Sequence, residues 1–176
     1  MTERLLIDLV DPVGVPLHRP AGPIAQRLTT LDGVRLALLD NRRPNADLFL
    51  DRLELQLRER SSPKEIRRFR KPVVQLPAPF LDELATYDAV VVAMVDMGAA
   101  LMRTPPDAVE LERRGVPTAL LANRDVATQC REILVTEGMP GLPVLSVAPI
   151  AQLRPADVPA LADDLVAAVP SLQRRA

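Results

Sequence analysis

Aromatic rings, thiols and imidazoles are scarce in this chain. Of its 176 residues none is tryptophan, one is tyrosine (Tyr87) and three are phenylalanine (Phe49, Phe69 and Phe80), so aromatics amount to 2%. That leaves no set of platforms on which bases could stack. A formal net charge of −1 and a pI near 5.9 supply no basic field for a phosphate backbone. Nucleic acid is therefore not expected as a ligand. One cysteine, Cys130, excludes an internal disulfide framework and any multi-cysteine zinc or iron–sulfur site. With His18 as the lone histidine, neither a haem nor a metal centre is expected. His18 lies between Leu17 and Arg19 with no acid or nucleophile beside it, which fits a solvated imidazole better than a catalytic one.

Glycines are few as well, 7 against 18 prolines. Gly14, Gly22 and Gly33 form no dinucleotide fingerprint, and no glycine-rich loop ends in Lys-Ser or Lys-Thr, so no nucleotide cofactor is expected. No apolar segment reaches the ~18 residues needed to span a bilayer. Met1 to Val10 carries Glu3 and Asp8 inside its apolar run and has no signal-peptide pattern. The expectation is a cytoplasmic protein that does not enter membranes.

What the chain does have is aliphatic side chains, within a hydrophobic share of 48%. A domain of this length buries roughly 70% of its unfolded surface, so one aliphatic core is expected. Residues 1–33 read as an irregular, proline-rich segment, apart from a short strand at Leu5 to Val10 and a helical turn at Ile24 to Leu28. Residues 34–176 read as a single α/β domain.

Strands and helices alternate along that domain. Val34 to Leu39 reads as a strand, followed by a helix from an Asn45 N-cap to about Arg60, with Leu48, Phe49, Leu53 and Leu57 at helical spacing. Ile66 to Arg70 suits an edge strand with charged alternate residues, whose basic run would pair with the acidic helix before it. Phe80 to Thr86 reads as a short helix. Ala89 to Val95 is an unbroken apolar run with four valines, which suits a strand covered on both faces. Pro105-Pro106-Asp107 then opens a helix over Ala108 to Arg114 that Gly115 closes. Val116 to Ala122 is a strand, Val126 to Glu137 a helix ended by Gly138, Pro143 to Val147 a strand, and Asp157 to Val169 an amphipathic helix with Val158, Leu161, Leu165 and Val169 on one stripe. The pattern predicts a mostly parallel sheet in a three-layer α/β sandwich of Rossmann-like or flavodoxin-like type.

In such sheets ligands sit beyond the carboxyl ends of the strands. The loop Asp96 to Pro106 stands there, and after Asp96 it offers no thiol, imidazole or hydroxyl until Thr104. Asp40, Asn41, Arg42 and Arg43 form the most polar cluster at a strand end. Arg42 or Arg43 there could hold a carboxylate or phosphate near a helix N-terminus, or the cluster simply caps the helix and faces water. The candidate set is Asp96 as acid, base or ligand anchor, with Asp40, Asn41, Arg42, Gly98, Arg103, Asn123 and Arg124 as ligand-binding neighbours.

Five blocks carry a resemblance: Leu39-Asp40-Asn41-Arg42 with Pro44-Asn45; Lys71-Pro72; Asp88-Ala89-Val90 leading to Asp96; Asp107 to Glu112 through Arg114 to Thr118; and Gly138 to Pro143. Across roughly residues 34 to 150 the chain resembles the UGSC family, whose members carry selenocysteine or cysteine, then Gly, Ser and Cys, after a central strand. More distantly it is similar to the selenoprotein B components of glycine and proline reductases. The resemblance implies that Asp96 precedes the motif position, where this chain reads Met97, Gly98, Ala99 and Ala100. Neither a thioether nor an alanine methyl can become a thiolate, so selenol or thiol attack from this loop is excluded. Cys130 falls inside a predicted helix and reads as a small buried apolar residue.

Two functions follow as expectations. One is a non-catalytic subunit that stabilises a homologous thiol- or selenol-bearing partner or completes its site, with the Met97 to Met102 segment as contact surface. The other is a stand-alone lyase-like or dehydratase-like enzyme, or a small-molecule binder, centred on Asp96. A hetero-oligomer or a homo-oligomer is expected accordingly.

Overall fold

The computed structural model describes residues 20–166. The expected strand at Leu5 to Val10, His18 and the end of the C-terminal helix, with Val169, lie outside them. Five parallel strands form one sheet: β1 (Arg35–Asp40), β2 (Glu65–Arg70), β3 (Ala89–Val95), β4 (Thr118–Asn123) and β5 (Val144–Val147), in the spatial order β2-β1-β3-β4-β5. Helices α1 (Ala46–Arg60), α2 (Ala78–Leu84), α3 (Ala99–Arg113) and α4 (Ala127–Thr136) connect them, and α5 (Val158–Val166) follows the last strand. This is the doubly wound, flavodoxin-like order expected for an α/β sandwich.

Alternation along the strands divides the core in two. Leu36 and Leu38 of β1, Val91 of β3 and Leu121 of β4 face a layer made by Phe49, Leu50 and Leu53 of α1 and Val158 and Ala162 of α5. Ala37, Leu39, Val90, Val92 and Leu120 point the other way, onto Leu81 of α2, Val109 and Leu111 of α3, and Cys130 and Leu134 of α4. All seven residues of β3 are buried, which accounts for its continuous apolar run. The charged strand β2 lies at the sheet edge, where Arg68 pairs with Asp51 of α1 and Arg67 with Glu83 of α2. Phe69 packs edge-on against Phe80 and Tyr87 at centroid separations of 5.9 and 5.3 Å, so three of the four rings stabilise this edge.

Both glycine stops work as the sequence suggests. Gly115 adopts φ 81° and donates to Glu112 O, while Val116 N reaches Leu111 O; Gly138 (φ 77°) and Met139 repeat the pattern at the end of α4. Both satisfy the last helical carbonyls with a left-handed residue that glycine adopts at no steric cost.

Three expectations are corrected. Ile24 to Leu28 forms no helical turn; Ala25 N and the Arg27 guanidinium instead bind the buried carboxylate of Glu112 at 2.6 Å each, pinning the segment across the amino end of the sheet. Asn45 sits at the N-cap position of α1 but its side chain caps nothing: in a left-handed conformation (φ 64°) it donates to Ile150 O and Leu153 O at 2.8 and 3.1 Å. The largest difference is α3, which begins at Ala99 rather than Ala108 and keeps Pro105 and Pro106 inside it. A proline disfavours helix in the residue before it and removes a hydrogen bond. Here Thr104, the residue before Pro105, is fully buried and accepts a hydrogen bond from Asn41 Nδ2 at 2.9 Å, contacts that hold the helical path through the prolines. The expected loop, Asp96 to Pro106, shrinks to Asp96, Met97 and Gly98.

Candidate functional site

The strand order reverses between β1 and β3, and in such sheets the crevice beyond the carboxyl ends at that point is where ligands bind. A cavity of about 290 Å³ lies there. Its floor and rim come from the β1–α1 loop (Asn41, Arg42, Arg43), the segment after β2 (Lys71 to Val74) and the first turn of α3 (Ala99, Ala100).

Asn41 ties these elements together. Its backbone N–H donates to Ala93 O at 2.5 Å, and its Nδ2 donates to Met94 O at 3.0 Å and to Thr104 Oγ1 at 2.9 Å. One side chain thus joins β1, β3 and α3, next to the register shift between Ala93 and Val95 that bends β3 against β4. The following residues turn sharply: Asp40 Oδ1 accepts from Arg42 N at 2.6 Å, and Arg42 itself is left-handed with φ 59°. Left-handed backbone in a residue other than glycine is uncommon and concentrates at binding sites.

Under the crevice lies a buried ion pair. Lys71 Nζ stands 2.6 Å from Asp107 Oδ2, with both side chains at most 5% exposed, and Leu76 N donates to the second carboxylate oxygen at 3.1 Å. Burial pushes the Asp107 carboxyl above its ordinary value, partly offset by the hydrogen bond and charge of Lys71. The pair locks the segment 71–77 onto α3, and with it Val73 and Val74, each 57% exposed.

The candidate residues fall into two groups. Asn41 and Arg42 line the crevice, with Asp40 just behind them, 3.9 Å from Arg70. Asp96 and Asn123 form the second group, at the ends of β3 and β4: Asp96 Oδ1 accepts from Met97 N at 2.8 Å and from Asn123 Nδ2 at 3.3 Å, and Asn123 Oδ1 accepts from Asp125 N at 3.0 Å. Arg103 reaches Gln75 Oε1 at 3.4 Å and adds its charge to the field at Asp107. Arg124 is exposed on a short 3-10 turn, Arg124–Val126. Gly98 stands between the groups with φ 71° and ψ −133°, and an added Cβ would meet nothing within 4 Å. Only the backbone resists a side chain at that position. Gly98→Ala is expected to cost about 1–3 kcal/mol in a urea melt, the usual range for a residue held in such a conformation; a loss under 0.5 kcal/mol (about a twofold change in the folding constant) would show that the turn relaxes freely.

Residues 8–174 match the sequence profile of the UGSC family. The chain belongs to the UGSC family. No curated protein matches it. In this UGSC-family chain the only thiol, Cys130, is fully buried on the inner face of α4, and burial pushes it up to about 11. It is protonated at neutral pH and faces the core, away from the crevice.

Lys71 and Asp107 stand in the sequence blocks that carry the resemblance and Thr104 in the expected loop, but none of the three is among the candidate site residues. Lys71 and Asp107 are 36 positions apart, and neither carries a local sign that it will be buried with the other. The proline pair after Thr104 marks a helix start in sequence terms, which hid its place inside α3.

Proposed function

We propose that this UGSC-family chain is a non-catalytic subunit, pairing with a thiol- or selenol-bearing paralogue to stabilise it or complete its site. The observation that carries the reading is where apolar surface is exposed. Six large hydrophobic residues are exposed among the described residues, and four of them, Val73, Val74, Met97 and Met102, belong to the segments around the crevice at the carboxyl edge. Met97, at the motif position implied by the resemblance, is 68% exposed, and Met102, one turn into α3, is 59% exposed. Exposed apolar groups gathered beside a ligand crevice, rather than scattered singly, mark a contact surface, and methionine packs adaptably against a partner. The chain therefore presents a partner surface where its relatives would place a nucleophile.

Native mass spectrometry on the chain alone, and on the chain produced together with a UGSC paralogue bearing the intact motif, tests this. The expected result is a hetero-oligomer of fixed stoichiometry, weakened at least about tenfold when Met97 and Met102 are both changed to glutamate, since two desolvated carboxylates oppose docking. A chain that ignores such paralogues, or turns over a substrate by itself, overturns the reading. Turnover would favour the second reading, a lyase-like or dehydratase-like enzyme in which Asp96, oriented by Asn123, exchanges a proton with substrate.

A further inference from the structure

We infer that the crevice between β1 and β3 binds a small organic carboxylate, with its acid group on Arg42 and Arg43 and its aliphatic body on Val73, Val74 and Ala99. The site goes beyond the subunit reading and does not depend on it.

Charge comes first. The crevice wall contains three cations, Arg42, Arg43 and Lys71, and no carboxylate. Lys71 is neutralised from beneath by Asp107 at 2.6 Å. No carboxylate pairs with either arginine among the described residues, and the Nε of Arg43 is buried without a hydrogen-bond acceptor. That Nε is closed to solvent, so a ligand in the crevice would meet Arg43 through the part of the side chain that lines it. Guanidinium groups bind carboxylates through paired N–H donors. The opposite rim adds to this. Helix α3 begins here with no side-chain cap, and its N-cap residue, Gly98, has no side chain to offer. The first N–H groups of a helix have no partner within it, and its dipole favours negative charge at that end.

Shape and polarity then narrow the class. A cavity of about 290 Å³ is at the small end for ligand sites, which suits a metabolite and not a nucleotide. Besides the cations the wall contains Asn41, whose Nδ2 is already committed to Met94 O and Thr104 Oγ1, and then Pro72, Val73, Val74, Ala99 and Ala100, none of which has a hydroxyl or amide side chain. A multiply charged, fully hydrated ion such as phosphate would lose hydration against that wall without replacement, whereas a branched aliphatic chain buries surface there.

Isothermal titration calorimetry on the full chain with 3-methylbutanoate, acetate and inorganic phosphate tests the assignment. The expected order places 3-methylbutanoate at least about tenfold tighter than acetate or phosphate, from the CH₂-equivalents buried on the apolar wall. Arg43→Gln and Arg42→Asn should each weaken it about tenfold or more. Lys64→Gln, which removes an exposed charge before β2 at the other end of the strand, should leave it unchanged. Asparagine tolerates the left-handed backbone at position 42, so Arg42→Asn still reports if Arg43→Gln fails to fold. Phosphate binding as tightly as the branched acid, no binding of any of the three, or equal losses in Lys64→Gln and the arginine variants would each overturn the assignment. Because the readout uses the lone chain, a protein that binds the acid but recruits no paralogue retains this site and loses the subunit reading; the converse outcome separates them equally.

Discussion

Exchanging Lys71 for methionine is expected to lower the free energy of unfolding by about 3–5 kcal/mol at pH 7, measured in denaturant melts. The methionine fills the aliphatic volume, so the loss is electrostatic. It leaves the Asp107 carboxylate with Leu76 N as its one remaining hydrogen-bond donor and with side-chain exposure of 5%. An unpaired buried charge is the costly state; the intact pair is not itself a large source of stability. The sign of the pH dependence follows. Burial raises the Asp107 carboxyl, Lys71 pulls it down, and the variant loses that downward pull. A carboxyl with a raised folded-state pKa holds its proton more tightly in the native state than in the unfolded chain, so its contribution is present in acid and lost as pH rises through the folded value. The deficit of Lys71→Met should therefore shrink as pH falls from 7 toward the ordinary carboxylate range. Adding Asp107→Asn, which keeps an acceptor for Leu76 N, should recover most of it at pH 7. A loss under 1 kcal/mol at pH 7 (about a fivefold change in the folding constant) would mean that the carboxylate swings into water, and that the segment 71–77 is not locked to α3.

The fold was legible where burial and periodicity agree. Ala89–Val95 reads as a two-sided buried strand because nothing polar interrupts it, and the structure buries all seven residues. Gly115 and Gly138 mark helix ends because a left-handed residue is needed there and glycine supplies it. The start of α3 was not legible. Local chemistry at Pro105 and Pro106 argues for a boundary, and tertiary packing that buries Thr104, Pro105, Ala108 and Val109 and ties Thr104 to Asn41, 63 positions away, overrides it. Asn45 shows the same limit: its local role as a helix cap yields to a tie with Ile150 and Leu153 more than 100 residues on. The candidate site divides along this line. Asn41 and Arg42 stand at a strand end that sequence periodicity locates, while Lys71 and Asp107 become neighbours only when β2 and α3 pack.

The carboxyl edge thus holds two devices on one frame. Asn41 joins β1, β3 and α3, and Lys71 with Asp107 joins the segment after β2 to the same helix. The arginine crevice and the exposed methionines both depend on where α3 starts. A perturbation of that start should move partner binding and carboxylate binding together, whereas surface changes at Met102 or Arg42 should move one alone.

Replacing Met97 with cysteine is expected to create a thiol that reacts with an aromatic disulfide at least about 100-fold faster at pH 8 than the unsubstituted chain does. In that chain the only thiol is Cys130, fully buried and pushed up to about 11. With such a pKa about one molecule in a thousand carries the reactive thiolate at pH 8, before burial limits access. Position 97 is 68% exposed and precedes Gly98 and the uncapped first turn of α3. An unperturbed thiol, with a pKa of about 8.5, is about one quarter ionised at pH 8, and a helix N-terminus lowers the value further. Ionisation alone thus separates the two sites by more than two orders of magnitude. The pH profile is the sharper readout. Release of the aryl thiolate should reach its half-maximum below about pH 8.5 in Met97→Cys, while the slow reaction of Cys130 should keep rising toward pH 11. A low midpoint would mean that the Gly98 turn and the helix behind it still form a cradle for a thiolate and that only the side chain has been lost, as the subunit reading requires. A midpoint at or above the ordinary value would mean that this backbone does not stabilise a thiolate, and position 97 would then have no claim to be a vacated nucleophile site.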